Sequence, residues 1–266
     1  LTLIDVGVNL TNSRFDKDRS EVLARAKAAK ISAMLITGTN LAESKQAILQ
    51  CRQDPHYLYC TAGIHPHDAD QADKNYLETL YQLAQHDCVR AIGECGLDFN
   101  RNFSTAENQT RVFQGQVELA QQLNLPLFLH QRDAFQVWFE ILKPYIDKVP
   151  ALVSHCFTGN KNELLQCLDA GMYIGITGWV CDERRGQNLR DIVPLIPLER
   201  LMIETDAPYL TPRTIRPKPK SSRNEPSYLP YIVTMLAELF DCSESELIKQ
   251  TTINSEKVFN LSVSNA

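Results

Sequence analysis

Eight short apolar runs, rich in β-branched residues, recur along this chain, and their spacing constrains the fold more than any other feature. They are "LTLIDVGV" from residue 1, "SAMLITG" from 32, "LYCTAGI" from 58, "VRAIGEC" from 89, "PLFLH" from 126, "ALVSHCF" from 151, "YIGITG" from 173 and "LMIETD" from 201. Near-continuous apolar runs of this length mark strands covered on both faces. Their starts lie roughly 22 to 37 residues apart, which leaves room for a helix between each pair. The intervening segments, such as "YLETLYQLAQ", "RVFQGQVELAQQL" and "AFQVWFEILKPYI", carry apolar residues at three- and four-residue spacing, the period of an amphipathic helix. Ser104 with Glu107 and Ser243 with Glu246 have capping-box spacing, and Gly171 reads as a helix stop.

Eight β-then-α units predict an α/β fold of the (β/α)8 TIM-barrel kind, with closing C-terminal helices formed by "YLPYIVTMLAELF" and the segment after Ser243. A doubly wound open sheet is the alternative. The 266 residues are expected to make a single barrel domain over 1–266.

Composition narrows the class without choosing a function. The net charge is 27 − 32 = −5, so any binding of nucleic acid must come from a local patch rather than a global field. No apolar stretch approaches the roughly 20 residues that span a bilayer, and "LTLIDVGV" lacks the basic lead of a signal peptide. The eight cysteines are scattered with no C-x-x-C pair, a pattern of reduced thiols rather than a disulfide framework. The expectation is a soluble, cytoplasmic monomer with no membrane partner.

Barrel active sites lie at the C-terminal ends of the strands, so polar residues there carry the functional signal. The first run holds Asp5 and then Asn9, the third leads into "GIHPHD" with His65 and His67, and the fourth holds Glu94. The fifth ends at His130, the sixth at His155 and the eighth at Asp206. An unpaired carboxylate at Glu94, inside "VRAIGEC", would cost several kcal/mol. A barrel aims these ends at one axial cavity, and imidazole with carboxylate is a ligand set for zinc, manganese or magnesium. Asp68 and Asp98 read as structural turn residues. Cys95 and Cys156 neighbour Glu94 and His155, so strand alternation turns both thiols toward the helices.

The motifs "GIHPHD", "IGECGLDF", "PLFLHQRDA", "SHCFTG" and "LIPLERLMIETDAPYL" together resemble the TatD family of metal-dependent deoxyribonucleases, amidohydrolase-like barrels, nearly end to end. The resemblance implies phosphodiester hydrolysis, with Glu94, His130, His155 and Asp206 at the metal-site positions. It also implies 3′-to-5′ exonuclease action on single-stranded DNA and RNA, as in DNA repair or nucleic-acid degradation. One departure concerns the first strand, where the family's Asp-x-His-x-His reads "DVGVN" here. Gly7 has no side chain to offer and Asn9 offers at most an accessory metal ligand, which favours a single Mg2+ over Mn2+ or Zn2+.

Within that frame Asp206 is the expected general base, Glu94 is catalytic through the metal, and Arg132, His65 and His67 are expected substrate-binding residues. The stretch from Arg213 to Arg223 and the pair Arg184 and Arg185 offer positive charge beside the catalytic face, and Trp179, Phe99 and Tyr209 could stack on unpaired bases. Two other classes compete: a hydrolase of the same barrel acting on an aminoacyl ester or phosphotriester, and a non-catalytic protein whose metal site has decayed. The retained carboxylate and histidine set opposes the latter.

Overall fold

Each of the eight apolar runs forms a strand in the computed structural model, which describes residues 1–262. Among them, β1 (Leu3–Val8), β2 (Ile31–Ile36), β3 (Leu58–Ala62), β4 (Val89–Asp98), β5 (Leu127–Arg132), β6 (Leu152–Ser154), β7 (Tyr173–Ile176) and β8 (Leu201–Ile203) pair in parallel in chain order. Seven helices alternate with them: α1 (Arg19–Ala28), α2 (Leu41–Gln53), α3 (Tyr76–Ala84), α4 (Ala106–Leu123), α5 (Phe135–Leu142), α6 (Lys161–Asp169) and α7 (Gln187–Ile192). The closing helices are α8 (Leu229–Phe240) and α9 (Glu244–Phe259). This is a (β/α)8 barrel rather than an open doubly wound sheet.

The seam between β8 and β1 closes by a different means from the other seven. Backbone bonds run from Asp206 N–H to Gly7 C=O and from Asn9 N–H to Ala207 C=O, each 2.8 Å. Below them the Asp5 carboxylate accepts from Thr205 N–H at 2.9 Å and from the Thr205 hydroxyl at 2.5 Å. A side chain thus ties the last strand to the first.

Two cores follow from strand alternation. Ile4, Val6, Ala33, Leu35, Phe128 and Met202 fill the barrel, with Phe259 and Leu261 from the end of α9 packed against them. Residues of opposite parity, among them Met34, Cys60, Leu129 and Ile203, pack outward against the helices.

Helix ends mostly obey their sequence signals. Ser243 caps α9, accepting from Glu246 N–H, and Gly171 follows α6 at φ +78°. The cap of α4 is one residue later than expected: Thr105 accepts from Asn108 N–H. Ser104 is instead buried, bonded to Asp70 N–H and His67 C=O at 2.9 Å each, so it ties the loop after β3 to the start of α4.

Candidate metal and active site

Glu94 owes its direction to a register slip. β4 and β5 pair Gly93 with Phe128 and then Cys95 with Leu129, leaving Glu94 as an extra residue between them. Such a bulge re-aims a side chain, so Ile92 and Cys95 both belong to the outer core while Glu94 points into the barrel mouth. The glycines of "GECG" make the close strand approach possible. A Cβ on Gly96, at φ +154°, would stand 1.7 Å from the His130 carbonyl oxygen, and one on Gly93 would stand 2.1 Å from that of Phe128. They make room for β5 itself.

One oxygen of Glu94 is ringed by imidazoles. Its Oε1 lies 3.1 Å from His130 Nδ1, 3.4 Å from His155 Nε2 and 3.5 Å from His65 Nε2. His130 and His155 share a further arrangement, because each turns its other nitrogen to an outer carboxylate. His130 Nε2 is 2.9 Å from Asp98 Oδ2, and His155 Nδ1 is 2.5 Å from Glu204 Oε1. An imidazole that donates outward presents its lone pair inward. Two lone pairs facing one carboxylate oxygen require protons or a cation between them, and the donor set therefore fits a divalent metal. Asp206 Oδ1 stands 3.8 Å from His155 Nε2 and accepts from Asn9 Nδ2 at 3.0 Å.

His65 differs from the other two. Donor atoms of His65, Glu94 and His130 lie within 4.8 Å of one another, yet His65 Nδ1 accepts from His67 N–H at 3.0 Å. A neutral ring with Nδ1 accepting carries its proton on Nε2. His65 therefore faces Glu94 as a donor.

The electrostatics follow from this interleaving. Burial opposes charge on His130, but its bonds to Asp98 and Glu94 win and hold it up at about 9. Burial takes His65 down to about 3, with Glu94 opposing. Burial also lifts Asp206 to about 7 against the pull of His155, helped by the charges of Glu94 and Glu204. Glu94 is pushed up by burial, yet the imidazoles, His155 first, bring it well below the usual carboxylate range.

All eight residues singled out in the sequence, Asn9, His65, His67, Glu94, His130, Arg132, His155 and Asp206, line one cavity of about 860 Å³ at the C-terminal ends of the strands. Asn9 donates its amide nitrogen to Asp206 Oδ1 at 3.0 Å, which places its side chain beside that carboxylate. Arg132 is exposed and has no ion pair among the described residues, so a bond to Asp133 does not hold it.

Two expectations need correction and two need adding to. Asp98 makes the expected turn, its Oδ1 accepting from Asn100 N–H at 3.1 Å, but it also ends β4 with its Oδ2 2.9 Å from His130 Nε2 and 3.2 Å from His67 Nε2. Cys156 lines the cavity, because it lies past β6 at φ +46°, where strand alternation no longer applies. Phe99 opens onto a separate cavity with Phe135, whereas Phe103, unremarked in the sequence, stands 59% exposed at the site mouth with its ring edge-on to His67. The basic stretch is partly paired: Arg213 grips Glu183, Arg223 grips Asp18, and Arg184 and Arg185 share Asp182, while Arg216, Lys218 and Lys220 have no ion pair among the described residues and leave the patch positive. Glu204 was also missed; its parity with Met202, which faces the barrel interior two residues earlier, is the signal that could have found it.

Fold and donor cluster together define a metal-dependent hydrolase on a (β/α)8 barrel. Residues 4–260 match the family model described as TatD related DNase, and the chain belongs to that family, enzymes that hydrolyse phosphodiester bonds. It is 53% identical over 259 residues, 97% of this chain and 100% of the relative, to a protein of Pectobacterium carotovorum named 3′-5′ ssDNA/RNA exonuclease TatD. A protein of the same name from Escherichia fergusonii is 51% identical over 98% of this chain and 100% of its own. Among solved structures, a TatD family hydrolase from Entamoeba histolytica superposes with a TM-score of 0.90 at 29% identity, covering 98% of this chain and 99% of the other. No helix among the described residues is long and apolar enough to cross a membrane.

Proposed function

We propose that this enzyme is a 3′-to-5′ exonuclease on single-stranded DNA and RNA that works in DNA repair or nucleic-acid degradation, as a single-domain monomer in the cytoplasm. The observation that carries the reading is the convergence of His130 and His155 on one oxygen of Glu94, beside Asp206. The names of the relatives supply the polarity and the single-stranded substrate.

Glu94, His130, His155 and Asp206 are the residues proposed to hold a divalent cation. Mg2+ is the favoured ion, since it is commonly held by one or two carboxylates together with substrate phosphate; the imidazoles make Mn2+ and Zn2+ acceptable substitutes. When bound, the ion lowers the pKa of water and acts as a Lewis acid toward the phosphoryl oxygens. Asp98 and Glu204 orient the two imidazoles. Asp206, with a pKa lifted toward neutrality, takes the proton of the attacking water. His65, carrying its proton on Nε2, and the half-exposed His67 donate to the substrate phosphate or to the departing 3′ oxygen. Arg132, unpaired at the cavity edge, grips phosphate oxygens. Family membership sets aside the aminoacyl ester and phosphotriester alternatives.

The deciding assay uses end-labelled single- and double-stranded oligonucleotides with Mg2+, Mn2+, Zn2+ or EDTA. Stepwise shortening from the 3′ end of the single strand is expected, abolished by EDTA and by Glu94→Ala. Intact DNA and RNA under every metal would refute the function, and normal cleavage by Glu94→Ala would refute the site.

A further inference from the structure

A second cluster of ligating side chains lies away from the catalytic mouth. Cys51, in the last turn of α2, Cys60, in the middle of β3, and Cys88, immediately before β4, bring their sulfurs within 4.8 Å of one another. Cys51 and Cys60 are buried, and Cys88 is half-exposed. The cluster belongs to the outer core, between sheet and helices. Its position beside the start of β4 puts it toward the N-terminal end of the barrel, the end that serves stability rather than chemistry.

The local backbone holds two of the three in place. Cys60 N–H donates to the Cys88 carbonyl at 2.9 Å, and Cys60 pairs in register with Val89. Cys51 arrives from α2, which packs over this edge of the sheet. All eight cysteines are free thiols, so none of the three is committed to a disulfide. In tetrahedral zinc sites the metal–sulfur distance of about 2.3 Å sets sulfurs about 3.8 Å apart. Sulfurs already within 4.8 Å of one another reach that spacing by small side-chain rotations.

We propose that Cys51, Cys60 and Cys88 form a structural metal site, a three-thiolate seat for a thiophilic d10 cation, Zn2+, with water as the fourth ligand on the open Cys88 side. Soft sulfur donors select such ions over Mg2+, and thiolate–metal bonds give a spectroscopic signature that the carboxylate–imidazole cluster lacks. Each thiol releases its proton to solvent as its sulfur–metal bond forms. Cys88, the half-exposed member, is the point of entry for the ion. The bound ion staples α2 to β3 and to the start of β4.

The test titrates reduced, chelator-treated protein with Zn2+ or Cd2+ and reads the sulfur-to-metal charge-transfer band, which carboxylate and imidazole donors do not give. The wild type is expected to take up one equivalent of Cd2+ with sulfur-to-metal charge-transfer absorbance, and Zn2+ is expected to raise its Tm in a concentration-dependent way. Cys88→Ser, at the half-exposed position, should keep Mg2+-dependent nuclease activity, which shows it is folded, while losing the absorbance and part of the Zn2+-dependent Tm shift. Cys156→Ser, whose thiol lies in the catalytic cavity, should keep the absorbance. No charge-transfer band in the wild type overturns the proposal, as does a Cys88→Ser protein that titrates like the wild type, or loss of the band in Cys156→Ser alone.

Discussion

Glu204 Oε1 lies 2.5 Å from Nδ1 of His155, and both side chains are sealed from solvent, at 0% and 2% exposure. The same oxygen accepts from Cys156 N–H at 2.9 Å. A Cβ on Gly7 would stand 3.2 Å, and one on Gly175 2.7 Å, from the other carboxylate oxygen. Glycine on both neighbouring strands therefore makes the room that Glu204 fills. The absent first-strand histidine at position 7 leaves a space that belongs to a carboxylate.

Neutralising that carboxylate should loosen the metal without unfolding the barrel. Glu204→Gln keeps the volume but weakens the hold on the His155 tautomer, and a loss of about 10- to 100-fold in Mg2+ or Mn2+ affinity is expected. Metal titration by calorimetry, with circular dichroism as the control for folding, reads this directly. Unchanged affinity would remove Glu204 from the site's working parts.

Metal binding should release a proton from Asp206. Burial lifts this carboxyl to about 7 in the metal-free protein, above its ordinary 3.8, so below pH 7 it is protonated and a cation must displace the proton. Apparent affinity is then expected to climb with pH through about 7 and on toward about 9, where His130, also a proposed ligand, gives up its proton. Calorimetry in buffers of different ionisation enthalpy counts the protons released, and Asp206→Asn should release fewer. Equal proton release by wild type and variant would exclude this carboxyl as the source.

Gly96→Ala tests the strand approach that positions Glu94. Its Cβ would fall 1.7 Å from a backbone oxygen at a φ of +154°, and no rotamer change relieves a backbone clash. Destabilisation beyond about 3 kcal/mol is expected in urea unfolding. A variant of near wild-type stability would mean that β4 and β5 can separate at little cost.

Phe103→Ala should act on substrate rather than on chemistry. The ring is exposed at the cavity mouth, edge-on to His67, a placement suited to stacking on an unpaired base. Removing a stacked aromatic costs about 1–3 kcal/mol of binding, so KM for single-stranded substrate should rise at least about fivefold with kcat little changed. A fall in kcat alone would assign the ring to positioning His67 instead.

The fold was legible because eight apolar runs at regular spacing admit few architectures, and the mouth residues were legible because barrel strands end in one place. What escaped has a physical cause in each case. Asp98 read only as a turn because nothing in "GLDFN" announces that β4 continues through it to the histidines, and the bulge at Glu94 that lengthens the strand is invisible to a period-two reading. Cys156 was turned the wrong way by extending alternation two residues beyond the end of β6. The pairing of Arg213 and Arg223 depends on Glu183 and Asp18, which are about 30 and 205 residues distant from them in sequence. Composition within a loop carries no record of such partners.

The Asp5 latch has a temporal consequence. Asp5 is synthesised 200 residues before Thr205, while Asp206 stands next to that latch and receives its hydrogen bond from Asn9. The final donor of the cluster thus arrives together with the strand that shuts the barrel. A nascent chain on the ribosome, surrounded by messenger RNA, carries no complete cutting centre until β8 has met β1.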